Sequence, residues 1–239
     1  ASDVDYGLNV NQRNMSSTQP NYVRKVTISN NTIDMSSVEG QALSYENWQP
    51  IGAYVTDILN NNISNAFYSA INVSGGQKGR VRDNTIVNAY MQNQNVYEYN
   101  TGSSALHISE SSQEVVGNSV SGSRRAGIKL INHDARVDSN TVINCGLGMV
   151  FDGEYTYPTT SSVRYNNITN NYYAGIVTQD YSDPVINYND LVSDTEYSEY
   201  YAIKHEVPSS TYDELNARLN YWGESATAEM VNGDNPKDI

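Results

Sequence analysis

The chain has 239 residues, with 27 Asp or Glu against 14 Lys or Arg and a formal net charge of −13. An acidic chain is a poor candidate for binding nucleic acid, because phosphate backbones are held by clustered Lys and Arg. No stretch approaches the roughly 20 apolar residues of a membrane helix, so we expect no nucleic-acid partner and no membrane span.

A six-residue pattern, apolar-x-x-Asn-x-apolar, occurs eight times. The copies are ISNNTI from Ile28, ILNNNI from Ile58, VRDNTI from Val81, VVGNSV from Val115, VDSNTV from Val137, VRYNNI from Val163, INYNDL from Ile186 and ARLNYW from Ala217. The shared asparagines are Asn31, Asn61, Asn84, Asn118, Asn140, Asn166, Asn189 and Asn220. A variable spacing of this kind, about 27 residues on average, is typical of solenoids whose insertions lie in loops.

A second pattern, small-apolar-x-apolar, accompanies each copy. It begins at Gly7, Ala42, Ala70, Ala105, Gly127, Gly148, Gly175 and Ala202. Its alternation has a period of two residues, which predicts short strands with one face inward. Two or three such strands in each repeat can bury a core only when the repeats stack at the inter-strand spacing of about 4.8 Å.

From Gly7 to about Gly223 these patterns resemble the right-handed parallel β-helix proteins: the pectate-lyase-like superfamily and, within it, the NosD-type β-helix repeat proteins. The ending NYWG, followed by a polar stretch, is also similar to the way many such repeats end. The resemblance implies an all-β fold, a single right-handed parallel β-helix (solenoid) of about eight or nine rungs. We assign residues 1–223 to this solenoid and 224–239 to a polar C-terminal tail or cap.

The repeated asparagine is interpreted as structural rather than catalytic. A turn residue in a stacked coil must often adopt the left-handed conformation, which Asn tolerates. Its amide can also hydrogen-bond to the asparagine one coil away. We therefore expect the eight asparagines to form an internal ladder.

Polar residues between the inward-pointing positions form columns on the outside of the predicted strands. Aligning the repeats brings His107, Arg125, Lys129 and Asp152 within a few coils of one another. The resemblance implies a catalytic use for such residues, because polysaccharide lyases and epimerases of this fold abstract a proton beside a carboxylate with Lys, Arg, His or Tyr. Tyr68, Tyr173 and Tyr200 form a neighbouring column and are candidate sugar-stacking platforms.

This group does not match a known catalytic motif. The chain has no Asp-Pro-His triplet of the epimerase kind and no dense aspartate cluster of the pectin-hydrolase kind. Val150 and Val177 interrupt the column with apolar side chains. The competing interpretation is a solvated sheet face that carries assorted polar residues.

Carboxylates on adjacent repeats suggest a calcium site as a further hypothesis. Asp152, Glu154, Asp180 and Glu206 are predicted to lie close together, and Ca²⁺ prefers oxygen ligands of this kind. The chain has neither an EF-hand loop nor a nonapeptide calcium repeat.

Two functional hypotheses follow. The first is an extracellular or cell-surface structural or adhesive protein, a subunit of a filament, sheath or envelope assembly. Open solenoid ends and Tyr-rich faces favour self-association, and exposed tyrosines also suit contact with polysaccharide. The alternative is a carbohydrate-active domain, a lyase or epimerase that uses the outward Lys/Arg/His column.

Cysteine and glycosylation signals add little to this choice. Cys145 is the only cysteine, so no internal disulfide is possible, and it is expected to be a small buried apolar residue rather than a nucleophile. Sequons at Asn14, Asn30, Asn62, Asn72 and Asn167 indicate an extracellular surface only weakly, because an Asn-rich chain produces several by chance.

Overall fold

A computed structural model describes residues 8–11, 25–36, 39–46, 55–75, 78–90, 96–192, 200–206 and 215–224. These ranges contain three parallel sheets. The first sheet holds β1 (Leu8–Asn11), β4 (Leu43–Glu46), β7 (Ile71–Ser74), β10 (Ser104–Ser109), β13 (Ala126–Ile131), β16 (Leu147–Gly153), β19 (Ala174–Asp180) and β21 (Tyr201–Glu206). The second holds β2 (Lys25–Ser29), β5 (Val55–Leu59), β8 (Lys78–Arg82), β11 (Gln113–Val116), β14 (Arg136–Asp138), β17 (Ser162–Arg164) and β20 (Val185–Asn187). The third holds β3 (Thr32–Asp34), β6 (Asn62–Ala66), β9 (Thr85–Ala89), β12 (Ser119–Ser121), β15 (Thr141–Ile143) and β18 (Asn167–Thr169).

The chain visits the three sheets in turn, so each coil stacks on the coil before it. β2 pairs in parallel with β5, and β5 with β8; the other two sheets are built in the same way. The small-apolar-x-apolar pattern falls at the strands of the first sheet, and the Asn pattern spans the corner between the second and third sheets. The all-parallel coil confirms the predicted solenoid fold.

The core runs along the axis of the solenoid. Each strand of the second sheet places a buried β-branched residue at the same position: Ile28, Ile58, Val81, Val115, Val137, Val163 and Ile186. The first sheet adds larger side chains, including the fully buried Tyr45 and Phe151. Cys145 lies in this core, where burial raises the pKa of its thiol to about 12. As predicted, it is a buried apolar residue, and its thiol is poorly ionised at neutral pH.

The repeated asparagines are hydrogen-bonded from one coil to the next. At each step the backbone N–H and a side-chain Nδ2–H of one asparagine donate to Oδ1 of the next. From Asn84 to Asn118 these distances are 3.1 and 2.9 Å. Asn118 gives its other Nδ2 hydrogen to the carbonyl of Val81, at 2.9 Å, on the preceding coil. The ladder joins, in order, Asn31, Asn61, Asn84, Asn118, Asn140, Asn166, Asn189 and Asn220.

The prediction that the ladder asparagine itself adopts the left-handed conformation is wrong. The residue immediately before it has the positive φ, between 54° and 68°. These residues are Asn30, Asn60, Asp83, Gly117, Ser139, Tyr165, Tyr188 and Leu219. Because this residue makes the bend, the amide of the following asparagine can point into the solenoid, where it meets the neighbouring coils.

The eighth repeat, ARLNYW, keeps its place in the ladder but is less regular than predicted. Asn220 accepts the hydrogen bonds from Asn189, and Tyr221 forms a parallel bridge with Asp190. The strand expected from Ala217 onward is reduced to a turn and this single bridge. Of the predicted tail at 224–239, only Glu224 is among the described residues.

Candidate functional site

The outward column of the first sheet has the register that the sequence predicts. His107 lies opposite Lys129, and Lys129 opposite Val150, on adjacent strands. Lys129 Nζ lies 2.9 Å from Asp152 Oδ2. The structure therefore brings together three of the four proposed catalytic residues. Lys129 is only 5% exposed, however, and its charge is already paired.

A segment that precedes β10, here called the strap (residues 96–103), lies across this face of the first sheet. The backbone N–H of Glu98 donates to the carbonyl of Arg124 at 2.8 Å. The Glu98 carboxylate accepts a hydrogen bond from Arg125 Nε at 3.0 Å. Tyr97 stacks on Tyr172 with ring centroids 3.4 Å apart. Arg125, the fourth proposed catalytic residue, is thus used to hold the strap.

The three tyrosines proposed as sugar platforms are all half-buried. Tyr173 packs on a buried outward-facing apolar cluster, formed by Ala126, Leu147, Val150, Ala174 and Val177. Its hydroxyl donates to the carbonyl of Tyr97 in the strap at 2.9 Å. Tyr68 and Tyr200 pack against the main core. Their rings contribute packing here, and sugar stacking by them remains a prediction that these contacts do not favour.

His107 is uncharged at neutral pH. Burial, and then the nearby Lys129 ammonium, lower the pKa of its imidazole to about 4, although Asp152 opposes the shift. Another buried histidine, His133, also has a pKa lowered to about 4 by burial; its Nδ1 and the Ser161 hydroxyl are 2.7 Å apart. Neither imidazole is poised to titrate near pH 7.

We expect acidification to destabilise the protein through His107. The folded-state pKa of about 4 lies below the ordinary value of 6.5, so the unfolded chain binds the proton more readily. The neutral imidazole therefore contributes to the free energy of unfolding above pH 6.5, and this contribution is lost as the pH falls from 6.5 through 4. The loss amounts to about 3 kcal/mol. Guanidinium unfolding between pH 7 and 4 should show a shallower pH dependence for His107→Gln than for the native protein; parallel curves would rule out a buried neutral imidazole.

The carboxylates proposed as calcium ligands divide into separate groups. Glu206 Oε1 lies 2.7 Å from Lys204 Nζ and accepts a hydrogen bond from the Tyr99 hydroxyl. Asp152 pairs with Lys129 and is hydrogen-bonded to Asp180. Glu154 directly follows the end of β16, where its backbone pairs with Tyr157 and donates to Asn132. Among the residues that the structure describes, no three His, Cys, Asp or Glu side chains are grouped to hold a metal ion.

Asp152 and Asp180 are the two carboxylates that do meet. Desolvation, followed by the charge of Asp152 and a hydrogen bond to it, raises the pKa of Asp180 above its ordinary value. Lys129 acts in the opposite direction. Asp180 is exposed and has a φ of 49°, an unusual conformation for a residue other than glycine.

A groove is present at the corner between the first and second sheets, with a volume of about 790 Å³. We call it the corner groove. Its lining residues are Lys78, Glu110, Ser111, Ser112, Asn132, Asp134, Glu154, Thr156, Tyr157, Pro158 and Thr160. Three carboxylates and one ammonium group give it a net negative charge.

The walls of the corner groove are built by successive coils. Glu110 and Asn132 lie at the same corner of adjacent coils, with φ values of 53° and 51°. Asn132 Oδ1 accepts a hydrogen bond from the backbone N–H of Glu154 at 3.0 Å. Glu154 and Tyr157 form an antiparallel bridge, which holds a tight loop and leaves the Tyr157 side chain 67% exposed at the groove.

Two further features of the groove suggest a binding role. Ser111 is buried, and its hydroxyl has no hydrogen-bond partner among the described residues, which is uncommon for a buried polar atom. Glu110 occupies a left-handed position where the adjacent coils carry Gly75 and Asn132, which tolerate that conformation better. Backbone strain and unpaired polar atoms of this kind are concentrated at functional sites.

Sequence reasoning identified Glu154 but missed the groove as a site. Its lining residues come from corners and from the loop at 153–161, which fall outside both repeat patterns. The spacing from Asn140 to Asn166 is 26 residues, against 22 and 23 for the coils on either side. This local insertion was the available signal, because insertions in solenoids are usually displayed on one face.

Comparison with known proteins gives the family but no individual relative. No helix in the described ranges has the length and apolar character needed to cross a membrane. The searches of curated proteins and of solved structures found no match. The family model described as "Right handed beta helix region" matches residues 6–191. That match covers most of the chain and agrees with its three parallel sheets, so the protein belongs to the right-handed β-helix family.

Proposed function

We propose that this protein is an extracellular adhesive or structural β-helix protein that binds carbohydrate in the corner groove. The observation that carries the proposal is the exposed Tyr157 ring beside a groove lined by carboxylates, hydroxyls and one amide. Sugars present both apolar C–H faces and dense hydroxyl groups. An aromatic ring with convergent polar side chains is suited to both.

The charge of the groove narrows the class of glycan. Glu110, Asp134 and Glu154 outweigh Lys78, so a polyuronate would meet net repulsion. A neutral or amino-sugar oligosaccharide avoids this cost, and carboxylates are good acceptors for its hydroxyl or ammonium hydrogens. Binding in the groove requires no catalytic group, which is consistent with an adhesive role.

The contacts of the predicted catalytic column argue against catalysis by its side chains, and so favour a binding protein over an enzyme. Lys129 is buried and paired with Asp152, and Arg125 holds the strap. A general base must reach the proton that it abstracts. The ion pairs of Lys129 and Arg125 would have to break before either side chain could act on a substrate.

We expect Tyr157→Ala to weaken binding of a neutral or amino-sugar oligosaccharide about tenfold. Loss of an aromatic contact costs about 1.4 kcal/mol when it is near the upper end of the usual range. Isothermal titration with cellohexaose, chitohexaose and hexagalacturonate measures the effect and the charge preference. Tyr155→Ala is the matched control, because Tyr155 lies in the same loop and is 77% exposed but does not line the groove. Equal affinities for the two variants, or no binding of any of the three sugars, would contradict the proposal.

A second candidate function is acid–base chemistry on a glycan at Asp152 and Asp180. The specific observation is the close approach of these two carboxyl groups, because desolvation and the charge of Asp152 raise the pKa of Asp180 and such pairs are candidates for acid–base catalysis. Release of reducing ends from a polysaccharide by the native protein, abolished in Asp180→Asn, would establish this function. Absence of turnover by the native protein would eliminate it.

A further inference from the structure

We propose that an exposed line of side chains near the C-terminal end of the described solenoid binds a second copy of this chain. The line consists of Tyr165, Tyr188, Leu219 and Tyr221, and we call it the corner stripe. It lies at the corner between the second and third sheets, away from the corner groove. Three independent features support this inference: the backbone conformation, the exposure of the side chains and the distribution of charge.

The backbone conformation is the first feature. Tyr165, Tyr188 and Leu219 occupy the left-handed position that precedes the ladder asparagine, with φ values of 55°, 59° and 61°. The preceding five coils fill the same position with Asn30, Asn60, Asp83, Gly117 and Ser139. Small polar residues and glycine tolerate this conformation, whereas bulky residues adopt it at a cost. The last three coils therefore place large side chains where the fold itself favours small ones.

The second feature is exposure. Tyr165 is 61% exposed, Leu219 is 66% exposed, and Tyr188 and Tyr221 are about half exposed. The rings of Tyr165 and Tyr188 stack on one another, with centroids 5.7 Å apart and planes 19° apart. Because the two rings cover part of each other's faces, less of each face is left for a sugar ring to stack on. That geometry suits packing against protein better than stacking on a sugar ring.

The third feature is a basic sheet in an acidic protein. The strands of the second sheet carry six exposed cations: Lys25, Lys78, Arg80, Arg82, Arg136 and Arg164. The same strands carry three carboxylates: Asp57, Glu114 and Asp138. Lys25 and Arg80 both pair with Asp57, Arg136 pairs with Asp138, and Arg82 pairs with the adjacent Asp83. The cations still outnumber these carboxylates, so this face keeps a net positive charge. Arg218, adjacent to Leu219, adds another exposed cation beside the stripe. Arg164 and Arg218 directly precede Tyr165 and Leu219 in the chain.

A second copy of the chain supplies the complementary surface. The formal net charge is −13, so the surface outside this basic sheet is strongly negative. A heterologous contact between the stripe, with its flanking arginines, and an acidic face of another copy pairs unlike charges and covers the apolar side chains. Such a contact does not use the groove proposed to bind carbohydrate. It provides the lateral association that a structural β-helix requires.

The test is the association state of the full chain, measured by sedimentation velocity at 1 to 100 μM protein in low salt and in high salt. We expect concentration-dependent oligomers that weaken as salt rises, because the charged part of the contact is screened. The double variant Tyr165→Ser/Tyr188→Asn introduces residue types that other coils use at this position. It should associate at least tenfold more weakly while its thermal midpoint stays the same or rises.

Tyr155→Ser is the control, because it removes a still more exposed tyrosine elsewhere and should leave association unchanged. A native protein that stays monomeric at 100 μM in low salt would overturn the proposal. So would a double variant that associates as strongly as the native chain. Tyr157→Ala should associate normally, so failure of the carbohydrate proposal and failure of this one give different results.

Discussion

Asn118→Ala is expected to lower the free energy of unfolding by about 4 kcal/mol. The substitution removes the acceptor of two hydrogen bonds from Asn84 and the donor to Asn140 and to the carbonyl of Val81. These groups are buried, and each buried polar group left without a partner costs about 1 to 3 kcal/mol. Guanidinium unfolding followed by far-ultraviolet circular dichroism measures the loss.

The control for this substitution is Asn144→Gly. Asn144 lies at an exposed corner with a φ of 53°, which glycine adopts without strain. We expect the free energy of unfolding to change by less than about 0.5 kcal/mol. If Asn118→Ala were as mild as this control, the ladder hydrogen bonds would contribute little to the free energy of unfolding.

Gly148→Ala is the second substitution with a large expected effect, a loss of about 2 to 3 kcal/mol. A Cβ atom at this position would collide with the backbone oxygen of Gly175 on the next coil and lie 2.5 Å from Ile168 Cγ2. Overpacking of a dense core costs about 1 to 3 kcal/mol. The backbone oxygen cannot move without disturbing the pairing of β16 with β19. The shift in thermal midpoint is the measurement.

Gly102→Ala is the matched glycine control. A Cβ atom there would meet only the side-chain oxygen of Asn100, at 3.3 Å, on an exposed turn. We expect little change in the thermal midpoint. Gly127, Gly148 and Gly175 occupy the same position on adjacent strands of the first sheet. If Gly148→Ala were equally mild, close packing would not be the reason for glycine at this position.

Much of the fold could be predicted from the sequence because the solenoid repeats its physical constraints. Each coil places an apolar residue inward three residues before the ladder asparagine. Val81, Val115 and Val137 are examples, and all three are buried in the core. The left-handed residue was assigned one position too late. Asparagine is common at both positions of the corner, as in Asn30 and Asn31, and only the backbone geometry separates their roles.

The candidate site was less predictable because its contacts are not repeated. Registers of the outward columns followed from the period of two residues, and His107, Lys129 and Asp152 do meet. The strap that covers this face comes from residues 96–103, before β10, and crosses several coils to reach Tyr172 and Glu206. No local pattern specifies such a long-range contact. The corner groove depends in the same way on a loop whose path the repeat does not determine.

The asparagine ladder has a direction as well as a position. In every step the amide nitrogen belongs to the earlier coil and the accepting oxygen to the later one. Each coil therefore offers on one side the same chemical groups that it requires on the other. Duplicating or deleting one whole coil leaves every remaining junction of the ladder chemically unchanged, whereas a partial coil leaves an amide unmatched. The length of such a protein can thus change during evolution in units of one complete turn, without redesign of the ladder.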